Sequence, residues 1–91
     1  MDTLDPATLP DAVAGTGWAV VDGRLQKVVK KKDFAGALAY VNAVGARAEA
    51  ANHHPDIAIS WNTVTLTLWT HDAGGVTQAD LDMARSLDEL D

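Results

Sequence analysis

The sequence predicts an α+β protein with two layers, in which helices pack on one face of a four-stranded antiparallel sheet, in the order α-β-β-α-β-β-α. Two observations predict this fold class. Segments in which apolar and polar residues alternate occur as two adjacent pairs, and segments with helical spacing of apolar residues flank each pair. The chain has 91 residues, the size of one small domain, so we expect a single domain over residues 1–91.

The first half of the chain begins with a predicted helix and a predicted β-hairpin. The helix covers residues 5–14, where apolar residues recur at helical spacing. The two strands cover residues 18–21 and 25–31. Asp22-Gly23 lies between them and is a strong signal for a two-residue hairpin turn.

Basic residues are concentrated in the second of these strands. Five of the seven lysines and arginines lie between positions 24 and 32. Lysine discourages pairing between exposed sheet edges, so the run predicts a solvated edge strand. A patch that attracts anions is the alternative.

The longest predicted helix begins at Phe34 and reaches Ala50 or Ala51. Its apolar residues follow helical spacing over four turns. Asp33 is a suitable N-cap, and Pro55 prevents the helix from continuing.

Two further strands are predicted after this helix. If Asn62 and Thr63 form a two-residue turn, Trp61 faces Val64, and the apolar residues of both strands lie on one face. The six side chains on that face are Ile57, Ile59, Trp61, Val64, Leu66 and Leu68. A glycine-rich loop and a last helix, which begins near Thr77, complete the chain.

The predicted hairpin brings the three histidines of the chain together. Its register places His54 opposite His71 at the open end of the strand pair, and His53 is adjacent. Glu49 lies one helical turn before His53, and Asp80 lies in the first turn of the last helix. Imidazoles exchange protons near neutral pH, so this cluster is a candidate site.

Each of these residues also has a purely structural interpretation. His53 and His54 can end a helix by binding its last carbonyls. Thr77-x-x-Asp80 has the pattern of a capping box, and Glu49 can solvate a helix face.

The residue types favour acid–base chemistry over the alternatives. Adjacent histidines do not easily face one metal ion from an extended backbone, so a metal site is disfavoured. Cysteine and the G-x-S-x-G motif are absent, although a nucleophilic role for Thr70 stays open. Several imidazoles around one pocket supply a general acid and a general base, which is what the elimination of water requires.

The composition excludes several classes of protein. The absence of cysteine excludes disulfides and thiolate metal sites and is typical of a cytoplasmic protein. No apolar run has the length of a membrane span, and the N-terminus lacks the basic residues of a secretory signal. A net charge of −6 disfavours nucleic acid as a partner.

Four motifs together resemble the pterin-4a-carbinolamine dehydratase family. In chain order they are Glu49-x-x-x-His53-His54-Pro55, Trp61-Asn62-x-Val64, Leu68-x-Thr70-His71 and Gly75-x-Thr77-x-x-Asp80. The resemblance implies the dehydration of 4a-hydroxytetrahydropterin to quinonoid dihydropterin, without metal or cofactor. It also implies an aromatic amino acid hydroxylase as a functional partner and a homodimer or homotetramer as the assembly.

The resemblance implies roles for particular residues. His53 and His71 resemble the family's acid–base residues, and His54 resembles a residue that binds the pterin. Asp80 resembles an aspartate that orients a histidine. The residues expected to contact substrate are Glu49, Pro55, Trp69 and Thr70. Trp69 is equally suited to an interface between subunits, because aromatic side chains favour both settings.

Three positions depart from the family pattern, and one alternative function stays open. Ile57, Trp69 and Asn52 replace residue types common in other members, which affects the expected pocket shape. The alternative is a non-catalytic dimeric binding module, similar to members that act as transcription cofactors or as Rubisco assembly chaperones. Such members tend to lose the histidines that this chain retains.

Overall fold

The structure is a computed structural model that describes residues 2–91. It confirms the α+β class and the predicted element order. Four strands form one antiparallel sheet with the spatial order β1-β2-β4-β3. The strands are β1 (Trp18–Val21), β2 (Arg24–Lys30), β3 (Asp56–Ser60) and β4 (Thr63–Leu68). The helices are a 3₁₀ turn (Pro6–Thr8), α1 (Leu9–Ala12), α2 (Phe34–Ala51) and α3 (Gln78–Asp88). No helix within residues 2–91 is long and apolar enough to cross a membrane.

The first helix is shorter than predicted and is interrupted, so the prediction of one helix over residues 5–14 was wrong. Pro10 has no N–H to donate to the carbonyl of Pro6, and a continuous α-helix would need that hydrogen bond. The N–H of Leu9 donates to the Pro6 carbonyl instead and closes a 3₁₀ turn. The side chain of Asp5 caps this turn.

The predicted turn of the first hairpin is confirmed. Asp22 and Gly23 both have left-handed backbone angles, with φ of 52° and 75°. Two successive positive φ values match the right-handed twist of the flanking strands, which is why Asp-Gly is favoured here.

The lysine-rich strand lies inside the sheet, so its prediction as a solvated edge was wrong. β2 pairs with β1 on one side and with β4 on the other. Lys27 is only 5% exposed, and its ammonium donates to Asp88 at 2.6 Å and also to Asp91. Carboxylates near the end of the chain therefore compensate a cation within the sheet.

The turn of the second hairpin is Trp61-Asn62 rather than Asn62-Thr63, so the predicted register was wrong by two residues. The buried side-chain amide of Asn62 donates to the Lys31 carbonyl at 3.0 Å, and the Lys31 N–H donates to the Asn62 carbonyl at 2.8 Å. These bonds hold Asn62 in the turn and leave Trp61 exposed, with φ of 51°. Because the β3–β4 register differs from the predicted one by an even number of residues, the strand residues that share a face are still those predicted.

The core lies between the sheet and the two long helices. Asp33 caps α2 as predicted, because its carboxylate accepts a hydrogen bond from the Gly36 N–H at 2.8 Å. α3 adds its own apolar face, on which Leu81, Ala84 and Leu87 are buried as predicted. Fully buried side chains come from every layer and include Leu9, Leu25, Val44, Val64, Leu66, Leu68 and Leu87.

β3 is an edge strand, and all five of its residues are exposed. Ile57 and Ile59 point to the same face as the buried residues of β4, yet each is 38% exposed. The helices therefore leave the outer edge of the sheet uncovered.

Candidate active site

The end of α2 directs the two adjacent histidines to different partners. Asn52 adopts a left-handed conformation, with φ of 50°, and ends the helix. The His53 N–H then donates to the Ala48 carbonyl at 3.1 Å. After this reversal the His53 ring faces α3, whereas the His54 ring turns back toward α2.

His53 contacts a fully buried carboxylate. Its Nε2 atom lies 2.6 Å from Oδ1 of Asp80, which is 0% exposed. The other oxygen of Asp80 accepts hydrogen bonds from the Thr77 N–H at 2.8 Å and the Thr70 hydroxyl at 2.9 Å. Because both carboxylate oxygens are bonded, Asp80 holds His53 in a fixed orientation.

His54 forms a second carboxylate pair, which is open to solvent. Its Nε2 atom lies 2.5 Å from Oε2 of Glu49, one turn back on α2. The side chains are 55% and 78% exposed. An exposed pair of this kind adds little stability, but it places a carboxylate beside an imidazole that lines the cleft described below.

His71 is held by stacking rather than by a close hydrogen bond. Residues two apart on an extended segment share a side, and the ring centroids of Trp69 and His71 are 4.1 Å apart. Asp56 accepts a hydrogen bond from the Trp69 indole N–H at 3.2 Å, and its other oxygen lies 3.9 Å from His71 Nε2.

A tight loop carries His71 to the site. The Thr70 N–H donates to the Gly75 carbonyl at 2.9 Å, and the Gly74 N–H donates to the Thr70 carbonyl at 2.9 Å. Gly74 has a φ of 75°, which other residue types seldom adopt. The loop thus turns back on itself before α3 begins.

The three histidines line one open cleft with a volume of about 390 Å³. This volume is within the range of small-molecule sites. Among the described residues that line it, two are carboxylates, Asp56 and Asp72, and none is lysine or arginine. The lining residues are Asn52, His53, His54, Pro55, Asp56, Trp69, Thr70, His71 and Asp72.

Most residues predicted for the site come together, but one predicted pairing does not form. His54 does not lie opposite His71 in a ladder, because β3 begins only at Asp56 and its register differs by two residues. Asp80 and Glu49 do not line the cleft and contact it through their histidines. The others, which line the cleft directly, are His53, His54, His71, Pro55, Trp69 and Thr70.

Two side chains that contact Trp69 were not predicted from the sequence. Asp56 follows Pro55 directly and contacts both Trp69 and His71. Arg24 places its guanidinium carbon 3.7 Å from the centroid of the Trp69 ring. Arg24 could be found only from the pairing of β2 with β4, which the sequence does not specify.

The arrangement provides acid–base groups around an open space. Imidazole donates or accepts a proton near neutral pH, and a paired carboxylate fixes which ring nitrogen faces the cleft. No group of three or more histidine, aspartate or glutamate side chains within residues 2–91 is arranged to hold a metal ion. The fold and cleft thus define a small α+β protein with a candidate proton-transfer site.

Comparisons with known proteins assign the family. The family model described as pterin 4 alpha carbinolamine dehydratase matches residues 2–90. A relative from Thermosynechococcus vestitus, provisionally named a pterin-4-alpha-carbinolamine dehydratase, is 46% identical over 98% of this chain and 95% of its own. A relative from a Mycobacterium species with the same provisional name is 50% identical over 98% of this chain and 90% of its own. This chain belongs to the pterin-4a-carbinolamine dehydratase family.

Solved structures agree with this assignment. A transcriptional coactivator/pterin dehydratase from Brucella melitensis has a TM-score of 0.87, with 34% identity and 98% of both chains covered. A pterin dehydratase-like protein, described as a RuBisCO assembly factor in the alpha-carboxysome, has a TM-score of 0.69. It is 24% identical and covers 84% of this chain and 90% of its own, so that likeness concerns the fold alone.

Proposed function

We propose that this protein catalyses the dehydration of a 4a-hydroxytetrahydropterin to the quinonoid dihydropterin and water. The observation that carries the proposal is the convergence of three imidazoles on one cleft, two of them within hydrogen-bond distance of a carboxylate. Family membership supplies the substrate class, and the cleft supplies the groups that the reaction needs.

The reaction breaks the C4a–O bond and removes the proton on N5, so it needs an acid and a base on one ring. We assign this proton transfer to His53 and His71, because they line one cleft from different parts of the fold, the end of α2 and the loop after β4. His54 contacts the pterin and exchanges protons with Glu49. Asp80 is fully buried and therefore acts as a positioning residue for His53.

The walls of the cleft suit a flat, polar-edged ring. Pro55 and the indole of Trp69 provide apolar surfaces, and the Thr70 hydroxyl provides a polar group at the base of the cleft. The proposed chemistry uses no metal ion and no cofactor.

The double variant His53→Ala/His71→Ala tests the proposal. With 4a-hydroxytetrahydropterin as substrate, the wild-type protein should form quinonoid dihydropterin well above the spontaneous rate. The double variant should lose at least about 100-fold in kcat/KM, a typical loss when general acid–base groups are removed. Lys32→Ala, at an exposed position before the start of α2, is the control and should retain wild-type activity. Equal rates for the wild type and the double variant would refute the proposal.

A non-catalytic binding module is the second candidate, because the Brucella melitensis structure carries both a coactivator and a dehydratase name. A binding module does not need proton transfer in the cleft. A wild-type protein with no dehydration above the spontaneous rate, but with a folded structure, would favour this candidate.

The substrate also indicates the reaction that precedes this one. A 4a-hydroxytetrahydropterin arises when a tetrahydropterin-dependent aromatic amino acid hydroxylase completes a turnover. Such a hydroxylase is the proposed functional partner, and adding this protein to its assay should remove any lag caused by the spontaneous dehydration.

We further propose that the chain self-associates through the exposed edge of β3. An antiparallel pair of β3 strands with a two-fold axis at Ala58 places Ile57 opposite the Ile59 of a second copy. Asp56 then lies opposite Ser60, so no like charges face each other. The pairing would give hydrogen-bond partners to the backbone N–H and C=O groups of the β3 edge, which proteins usually protect.

Ile59→Lys should weaken this association. Lysine at an edge opposes strand pairing, so sedimentation should show a smaller species than the wild type at equal concentration. Val28→Lys is the matched control, because Val28 is 59% exposed on the interior strand β2. A wild-type protein that sediments as a monomer at micromolar concentration would contradict the proposed assembly.

A further inference from the structure

A second cleft lies on the other side of Trp69. It has a volume of about 300 Å³ and is lined by the first hairpin turn, the N-terminal segment and the Gly74-Gly75 loop. Trp69 lines both clefts, so its indole is the wall between them. Trp69 is therefore the residue that a ligand reaching from the histidine cleft into the second space would contact.

Arg24 lines the second cleft and contacts Trp69. Because Leu25 pairs with Leu68, the antiparallel register places Arg24 beside Trp69 on the adjacent strand. The guanidinium carbon lies over the Trp69 ring, 3.7 Å from its centroid, which is the distance of a close cation–π contact.

The hydrogen-bond donors of Arg24 have no acceptor among residues 2–91. The other two arginines each have a carboxylate nearby: Arg47 lies 2.6 Å from Glu89, and Arg85 lies 3.8 Å from Asp82. Arg24 is thus stacked without an ion pair in a chain whose net charge is −6. Its planar fork of N–H groups matches the geometry of a phosphate or carboxylate.

Arg24 is also the one cationic side chain among the described residues that line either cleft. Besides the histidines, the ionisable side chains of the histidine cleft are the carboxylates Asp56 and Asp72, and Asp22 adds one more in the second cleft. His71 and Arg24 lie within about 8 Å of each other, because both are within 4.1 Å of the Trp69 centroid. A side chain of three or four atoms on a bound ring covers this distance.

We infer that the second cleft is a subsite for the side chain of the pterin and that Arg24 binds an anionic group at its end, a phosphate or a carboxylate. This inference rests on the proposed function, since the pterin ring occupies the histidine cleft. Pterins with a charged side chain are then preferred over otherwise identical neutral ones. The nearby carboxylate of Asp22 limits the preference to a moderate factor.

Equilibrium binding of two matched ligands tests this inference without any catalytic step. The ligands are fully oxidised, fluorescent pterins with the same trihydroxypropyl side chain, one ending in a hydroxyl and the other in a phosphate ester. The wild-type protein should bind the phosphate ester about tenfold more tightly, and high salt should reduce the difference. A third pterin, whose side chain ends in a carboxylate, distinguishes the two sources of negative charge.

Three variants separate Arg24 from general effects of charge. Arg24→Gln should reduce the preference to less than about twofold, and Arg24→Lys should retain part of it. Arg85→Gln removes the same charge from α3 and should leave the preference at its wild-type value. Equal wild-type affinity for the hydroxyl and phosphate ligands would overturn the inference, as would an unchanged preference in Arg24→Gln.

The outcomes also distinguish this inference from the proposed function. Dehydration of a neutral pterin without any preference for a charged side chain would refute the subsite and leave the proposed function intact. Tight, Arg24-dependent binding of the phosphate ester without dehydration would refute the proposed function and support the subsite.

Discussion

At the scale of single residues, Asp80 performs two tasks that the sequence presented as alternatives. The capping box with Thr77 is present, and the same carboxylate contacts His53 at 2.6 Å. One oxygen receives the backbone and hydroxyl donors, and the other faces the imidazole. A residue that starts a helix thereby also orients a side chain of the cleft.

Asp80→Asn should destabilise the protein by about 2 kcal/mol. The carboxylate oxygens now accept hydrogen bonds from the Thr77 N–H and the Thr70 hydroxyl and contact the His53 ring, and an amide nitrogen in place of one oxygen cannot accept such a bond. The change should appear as a lower urea midpoint. Asp82→Asn is the matched control, since Asp82 is exposed and contacts only the Gln78 side chain and the exposed Arg85 at 3.8 Å. Equal midpoints for the two variants would show that the buried carboxylate is unimportant for folding.

Trp69 is predicted to hold His71 through stacking. Trp69→Leu should lower kcat/KM by about tenfold, whereas Trp69→Phe should retain most activity because the stacked ring is kept. The His71 C–H resonances in a proton NMR spectrum should move downfield in the leucine variant as the ring that shields them is lost. His71 resonances that remain unchanged in Trp69→Leu would contradict the stacked geometry.

At the scale of elements, the second hairpin shows why register is harder to predict than strand identity. Two overlapping dipeptides could each form the turn, and both keep Ile57 and Ile59 on the face of the buried β4 residues, whereas only the predicted turn would put Trp61 there. The choice depends on hydrogen bonds between Asn62 and Lys31, which belong to different hairpins. A long-range contact therefore decides a local structure.

Asn62→Ala should lower the free energy of unfolding by about 1 to 2 kcal/mol, because it leaves the Lys31 carbonyl without its side-chain donor. Asn42→Ala, on an exposed position of α2, removes the same amide without that bond and serves as the control. Chemical denaturation measures both. A loss no larger than that of Asn42→Ala would contradict the role assigned to the turn.

The predictable parts of the fold are those with local causes. Asp22-Gly23, the Asp33 cap and the Thr77-x-x-Asp80 box were predicted because a few neighbouring residues determine each one. The burial of Lys27 was not predictable, because its partner Asp88 lies 61 residues further along the chain.

The candidate site also has one part that the sequence predicts and one part that it does not. The convergence of the histidines follows from one hairpin and two adjacent loops. The contacts of Asp56 and Arg24 with Trp69 require the packing of β4 between β2 and β3. No short sequence pattern specifies that packing.

At the scale of the whole molecule, ion pairs join Lys27 in the sheet to Asp88 and Asp91 near the end of the chain. Burial alone would lower the pKa of Lys27, but the hydrogen bonds and charges of Asp88 and Asp91 outweigh it and raise the pKa above 10.5. Burial and the charge of Asp91 raise the pKa of the Tyr40 hydroxyl above 10.0. Both groups therefore hold their protons more tightly in the folded state.

Stability should consequently fall as the pH rises above about 10. The unfolded chain releases these protons first, so the folded state binds more protons and loses stability with increasing pH. Below pH 10 the contribution is fully present. Urea midpoints measured between pH 8 and about pH 11 should decrease, and the decrease should be smaller in Lys27→Met. A midpoint that stays constant over this range in the wild type would contradict the charge pairing.

The most direct test of the account is a kinetic double-mutant cycle on the loss of water from 4a-hydroxytetrahydropterin. If His53 and His71 act together on one ring, each alanine variant should lose most of the activity, and the double variant should lose little more than the worse single variant. Losses that multiply, or single variants as active as the wild type, would contradict this joint action of the two imidazoles.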